Sequence, residues 1–135
     1  MLKVQQEDDG TTPAHKKSLI GFQDEKGELK ISIMLENLVL IESADNYATI
    51  HYINKDKLST FLIRNSLKWM EENLTKDTSL VRCHRSYIIN LDKVSVFKKT
   101  KNGIFMELEA PNTPDIPVSK TYYNKVMEKF SQYSI

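Results

Sequence analysis

A chain of 135 residues and 15.7 kDa has room for one compact domain and a tail, not for two ordinary domains. Its 40% hydrophobic and 27% charged fractions suit a soluble globular protein, and runs such as Leu38 to Ile41 fall far short of the ~20 apolar residues of a membrane span. The N-terminus lacks the pattern of a secretory signal, and lone Cys83 excludes an internal disulfide, so a cytoplasmic setting is the default, with no membrane partner for this chain.

In chain order, residues 1–18 hold Glu7-Asp8-Asp9-Gly10, Pro13 and Lys16-Lys17 with almost no large apolar side chain, which reads as a flexible tail or linker. From Leu19 to the C-terminus, short apolar runs alternate with turn signals, the pattern of one β-rich domain over residues 19–135. Leu19 to Gln23 and Leu29 to Leu35 are expected to form a hairpin around Asp24 to Glu28, with Gly27 free to take a positive φ. Leu38 to Glu42 and Tyr47 to Ile53 are strands across Ser43-Ala44-Asp45-Asn46, whose Asp and Asn tolerate left-handed backbone. Ala48, Ile50 and Tyr52 share one face of the second strand, and Leu58 to Arg64 is its antiparallel partner.

The period then changes. Leu67, Met70 and Leu74 mark one face of a short helix with Asn65 as N-cap, and Trp69, offset from that stripe, either covers the core edge or contacts another domain. Leu80 to His84, Val94 to Lys99 and Ile104 to Glu109 are further strands, the last two joined by Thr100-Lys101-Asn102-Gly103. Pro111, Pro114 and Pro117 keep the stretch from Ala110 extended. Ser119 is expected to cap a C-terminal helix in which Tyr123, Val126, Met127 and Phe130 form an apolar stripe.

Charge is segregated. Residues 1–45 hold five Lys or Arg against nine Asp or Glu, and the remainder fourteen against nine. Arg82, Arg85, Lys93, Lys98, Lys99 and Lys101 fall in one stretch opposed only by Asp92, so a polyanion can bind at one face. Within it, Arg82-Cys83-His84-Arg85-Ser86 precedes the apolar anchor Tyr87-Ile88-Ile89-Asn90-Leu91, a polar reading edge on a buried strand. A solvated charge run is the plainer alternative.

Catalytic and cofactor signatures are missing. Cys83 and His84 are adjacent, and side chains on a strand alternate in direction, which argues against a Cys-His pair. Three histidines and one cysteine show no CxxC or HExxH spacing, and a set of Asp45, His51 and His84 would rest on availability alone. The four glycines are scattered, without a phosphate-cradling loop. The chain is expected to be no enzyme, with no catalytic, metal or cofactor site.

Four segments in order carry a resemblance: Ile41-Glu42-Ser43-Ala44-Asp45-Asn46-Tyr47, the helix start Asn65-Ser66-Leu67, Val81 to Asn90, and Ile116-Pro117-Val118-Ser119-Lys120. Over residues 31–132 the chain resembles the LytTR DNA-binding domain of bacterial transcription regulators. The resemblance implies a mainly β fold: an elongated arrangement of antiparallel β-sheets with one short mid-chain helix and a C-terminal helix. It implies that loops between strands read double-stranded DNA in the major groove, with base-edge roles for the Asp45-Asn46-Tyr47 turn, Arg85 and Lys120.

The chemistry of these residues fits. Arg85 can donate two parallel bonds to guanine, and Asn46 can donate to and accept from an adenine edge, whereas the Lys120 ammonium serves a base or a phosphate. Ser86, Ser119, Lys98, Lys99 and Lys101 are candidates for phosphate contacts, and His84 is a further candidate. The alternatives are a turn role for Asn46, a structural ion pair for Arg85 and a satisfied hydrogen-bonding role for His84. Tyr47 and Tyr87 are expected in the core, and Cys83 is expected to pack as a small apolar residue.

The expected function is sequence-specific DNA binding as the output domain of a response regulator in a two-component system. Its partners would be repeated half-sites, a second copy of the chain as a homodimer on DNA, and a receiver or other sensory domain in a longer protein. The alternative is a β-rich protein-interaction or sensory module without DNA binding. Single-stranded or RNA binding is a weaker option, because no cluster of stacking aromatics is visible.

Overall fold

The computed structural model describes residues 18–133. All of the expected tail except Ser18 lies outside that range, and the Ser18 carbonyl accepts the Leu35 N–H at 2.8 Å. Ten strands and two α-helices follow: β1 (Leu19–Gln23), β2 (Leu29–Met34), β3 (Leu38–Ala44), β4 (Tyr47–Asn54), β5 (Lys57–Ile63), α1 (Leu67–Leu74), β6 (Leu80–His84), β7 (Tyr87–Asn90), β8 (Val94–Thr100), β9 (Gly103–Leu108), β10 (Ile116–Val118) and α2 (Lys120–Tyr133). All strand pairing is antiparallel, in a β1-β2 hairpin, a five-stranded sheet ordered β5-β4-β3-β7-β6 and a three-stranded sheet ordered β10-β9-β8.

The five-stranded sheet feeds two apolar cores. Ile41, Ile50, Ile63, Leu80 and Ile88 pack with Ile20, Phe22 and Ile33 of the hairpin and with Leu67, Met70 and Leu74 of α1. Leu40, Val81, Cys83 and Ile89 pack instead with Met106, Leu108, Ile116, Val118 and Val126. Neighbours such as Val81 and Leu80, or Ile88 and Ile89, serve different cores because successive strand side chains point to opposite faces. Val39 and Leu40 both join the second core, which strict alternation forbids, and the register shift between Leu38 and Leu40 accommodates them. Trp69 is partly buried against the first core, the core-edge role among the two expected for it.

The turn chemistry follows the sequence closely. Asp24 Oδ1 accepts the Lys26 and Glu28 N–H groups at 2.9 Å, and Gly27 has φ 87°. Those backbone donors, with Lys30 nearby, outweigh desolvation and hold the Asp24 carboxyl below its ordinary value. Asp45 takes φ 56° between β3 and β4, and Gly103 takes φ 132° between β8 and β9.

Three expectations need correction. Ser66, not Asn65, caps α1, its Oγ accepting the Trp69 N–H at 3.0 Å, while Asn65 Nδ2 donates to the Gln23 carbonyl at 2.8 Å. Ser119 does precede α2, and its carbonyl accepts the Tyr122 N–H at 3.1 Å, but its buried Oγ has no hydrogen-bond partner among the described residues. Tyr87–Asn90 is a strand in its own right, so the segment expected to carry a reading edge is the β6-β7 hairpin, with Arg85 and Ser86 at its turn.

Two polar clasps fix the position of that hairpin and of α2. Asn90 is fully buried; its Nδ2 donates to the Leu35 and Leu38 carbonyls at 3.0 and 2.8 Å, and its Oδ1 accepts Ser79 Oγ at 2.6 Å and Asp92 N–H at 3.1 Å. All four capacities of the amide are used, which is what a buried polar side chain requires. From α2, Lys129 Nζ donates to the carbonyls of Thr75, Thr78 and Leu80, where the chain passes from α1 into β6.

Candidate nucleic-acid interface

Strand direction brings distant parts of the sequence to one end of the sheets. The β3-β4 turn follows the Ala44↔Tyr47 pair, and the β6-β7 turn follows the His84↔Tyr87 pair. Since β3 lies between β4 and β7, the two turns are neighbours, and the Ser43 N–H donates to the Ser86 carbonyl at 3.0 Å. The Ser119 N–H donates to the Cys83 carbonyl at 2.9 Å, adding the start of α2 to the same end. Lys99, Ile104 and Val118 lie in register across β8, β9 and β10. Lys99, Lys101 and Lys120 consequently line a single cavity of about 400 Å³ with Val118 and Tyr123.

The β6-β7 turn is braced by Arg82, expected only as part of the cationic reading edge. Arg82 donates from Nε to the His84 carbonyl at 3.2 Å and from Nη2 to the Arg85 carbonyl at 2.7 Å. Its Nη1 pairs with Glu71 Oε1 at 3.1 Å, and its guanidinium lies 5.3 Å from the centre of the Tyr122 ring. Burial opposes the charge on Glu71, but Lys125 at 2.8 Å and Arg82 outweigh it and hold the carboxyl below its ordinary value. Arg82 thus ties the turn to α1 and α2, while Arg85 keeps an exposed side chain that forms no ion pair among the described residues. No local signal in the sequence separates these two arginines, since Glu71 and Tyr122 are remote from both.

His84 completes the turn. Its Nδ1 accepts the Ser86 N–H at 3.1 Å, so a neutral ring carries its proton on Nε2. Desolvation, then Arg85 and Arg82, push its pKa below the ordinary value, which keeps the ring neutral with one N–H to donate. Tyr87 is half-buried against the second core, as expected. Cys83 is fully buried, and desolvation raises its thiol to about 12, so it packs as an apolar residue.

At the β3-β4 turn, Asp45 and Asn46 are exposed. Tyr47, expected in the core, is 39% exposed, because it begins a strand at the end of the sheet with Arg64 beside it. The Arg64 guanidinium stands 5.5 Å from the centre of the Tyr47 ring. Two further candidates are differently placed from the rest. Lys98 is paired with Glu107 at 2.8 Å and Asp115 at 3.0 Å, which raises its pKa, and Ser119 Oγ is buried away from solvent. Lys99, Lys101 and Lys120 are exposed and form no ion pairs among the described residues, and Ser86 is half-exposed.

The acidic and histidine side chains do not assemble a metal site: among the described residues no group of three or more could hold an ion, and His51 Nε2 lies 2.7 Å from Glu42 Oε1. No helix there is long and apolar enough to cross a membrane. A mainly β domain that gathers an exposed arginine, an exposed asparagine and three exposed lysines at one end of its sheets has the electrostatic footprint expected of a nucleic-acid-binding module.

Comparison with known proteins identifies the family. The family model described as the LytTr DNA-binding domain matches residues 29–131, and the chain belongs to that family. Its function is DNA binding. A LytTr DNA-binding domain from Bacillus cereus has the same fold, with a TM-score of 0.63 at 22% identity, over 85% of this chain and 98% of that one. An uncharacterized response regulatory protein of Vibrio cholerae is 35% identical over 68 residues, which is 50% of this chain and 27% of that protein. Another, of Vibrio vulnificus, is 38% identical over 63 residues, or 47% of this chain and 24% of that protein. The chain therefore spans about a quarter of the length of these curated relatives.

Proposed function

We propose that this chain acts in the cytoplasm as the output domain of a bacterial response regulator, binding a specific double-stranded site in the major groove. The observation that carries the reading is the hydrogen-bonded convergence of the β3-β4 turn, the β6-β7 turn and the start of α2, through Ser43 to Ser86 and Ser119 to Cys83. Arg85 is the guanine reader, Asn46 the adenine reader, and Lys120 reaches a base or a phosphate. Tyr47 flanks Asn46, the His84 Nε2–H and Ser86 donate to the backbone beside Arg85, and Lys99 and Lys101 hold phosphates. Lys98, engaged by two carboxylates, and Ser119, through its backbone N–H to the Cys83 carbonyl and not its buried hydroxyl, act by holding the fold.

The similarity of this chain to response regulatory proteins supports a receiver domain as the signalling partner; a homodimer on repeated half-sites completes the proposal. Selection from randomised duplex DNA tests the reading directly. An enriched site with repeated elements is expected, and its affinity should fall with salt at a log-log slope near −4.5 if about five phosphates are neutralised. Enrichment of no sequence by folded protein would overturn the sequence-specific reading.

A further inference from the structure

Beside Asn46 lies a groove of about 360 Å³ lined by Glu25, Asp45, Asn46, Arg64, Asn65 and Ser66. Its outer wall is the β1-β2 turn, and Glu25 lies before the family-matched residues 29–131. That turn is fixed in place: the Glu25 N–H donates to the Arg64 carbonyl at 2.8 Å, and Asn65 Nδ2 donates to the Gln23 carbonyl at 2.8 Å. Arg64 Nε then donates to Glu25 Oε1 at 2.8 Å while its guanidinium leans on the Tyr47 ring.

We infer that Arg64 is a further DNA-backbone contact and that Glu25 holds it in reserve by occupying the place of a phosphate. The inference rests on the proposed DNA-reading role of the adjacent Asn46 turn. Both partners are about half exposed, with side-chain accessibilities of 50% and 52%, so their pair is worth little in water. A guanidinium binds a phosphate through two parallel charge-assisted bonds, and exchanging a loosely held carboxylate for a phosphate is cheap. Stacking on Tyr47 keeps the guanidinium at the edge of the reading turn whichever anion it faces. Asp45 lines the other wall but forms no ion pair with Arg64, so the Glu25 charge is the one whose removal frees the guanidinium.

The test measures affinity and salt slope on the selected duplex for the wild-type chain, Arg64→Gln, Glu25→Gln, the double variant, and Glu28→Gln. Glu28 sits in the same turn but pairs with Lys30 at 3.1 Å, so it controls for the change of charge. Arg64→Gln should weaken binding about threefold or more and flatten the log-log slope by about 0.9. Glu25→Gln should tighten binding about threefold or more, Glu28→Gln should not, and the gain should vanish in the double variant. Thermal melts confirm that each variant folds. If Arg64→Gln keeps the wild-type affinity and slope, or if Glu25→Gln gains as much without Arg64, the inference fails while the DNA-reading role stands. Failure of the wild-type chain to bind any selected duplex removes both.

Discussion

The β6-β7 turn and the β3-β4 turn sit side by side at one end of the same sheet, but they are held by different means. Arg82 grips the first from within, through two backbone carbonyls, a half-buried carboxylate and an aromatic face. Asn90 fastens the base of the same hairpin with four hydrogen bonds. The second turn has a left-handed Asp45 and, alongside, the solvent-exposed pair of Arg64 and Glu25. On the proposed assignment Arg85 would meet its base from a turn braced by side chains, which favours bidentate bonding, and Asn46 from a turn with fewer such braces.

This contrast can be broken at several points. The largest effect is expected from Asn90→Ala, which leaves the buried Leu38 carbonyl, the part-buried Leu35 carbonyl and the Ser79 hydroxyl without their partner and should cost about 3 kcal/mol, read by urea unfolding. Arg82→Met keeps the apolar stem but removes the grip. It should cost about 2 kcal/mol of stability and, in addition, weaken the selected site more than random DNA; unchanged stability and binding would mean the turn needs no brace.

Arg85→Ala should leave the melting temperature alone and lose about 1–3 kcal/mol of discrimination at one base pair, with Asn46→Ala showing a smaller loss at a different position. Lys99→Ala or Lys101→Ala should weaken all duplexes alike, flattening the salt slope by about 0.9 each. Lys98→Ala should leave the slope unchanged, because that ammonium already faces two carboxylates.

The smallest effect concerns pH. His84 has a lowered pKa in the folded chain, so as pH falls through the ordinary value near ~6.5 the unfolded chain takes up the proton first. Its effect on stability is absent above that value and becomes a loss as pH drops towards the folded value. Melting temperatures taken down this range should fall slightly less for His84→Gln than for the wild type.

Much of the fold was legible because its signals are local. Alternation in Tyr47 to Ile53, the Asn102-Gly103 turn and the Leu67, Met70, Leu74 stripe depend on residues within one element. The Tyr87–Asn90 strand was hidden because Arg85-Ser86 lacks Gly, Asn or Pro, so the sequence runs through the turn without punctuation. Asn65 and Ser66 are both good caps, and only the Gln23 carbonyl, brought by the β1-β2 hairpin, decides between them. At the candidate site the neighbourhood of three segments followed from their order and the family they resemble. What escaped was the sorting of Lys98 from Lys99 and the bracing role of Arg82 beneath the exposed Arg85. Both depend on Glu107, Asp115, Glu71 and Tyr122, which only the tertiary fold brings close.

Cys83 supplies a built-in reporter of this hairpin. With no exposed surface and a thiol raised to about 12, it is shielded from alkylating reagents for as long as β6 and β7 stay packed. Labelling must then wait for the hairpin to open, and its rate in native buffer measures that opening. If the turn two residues away contacts DNA as proposed, bound duplex should slow the labelling, giving a footprint of the complex from a single sulfur atom.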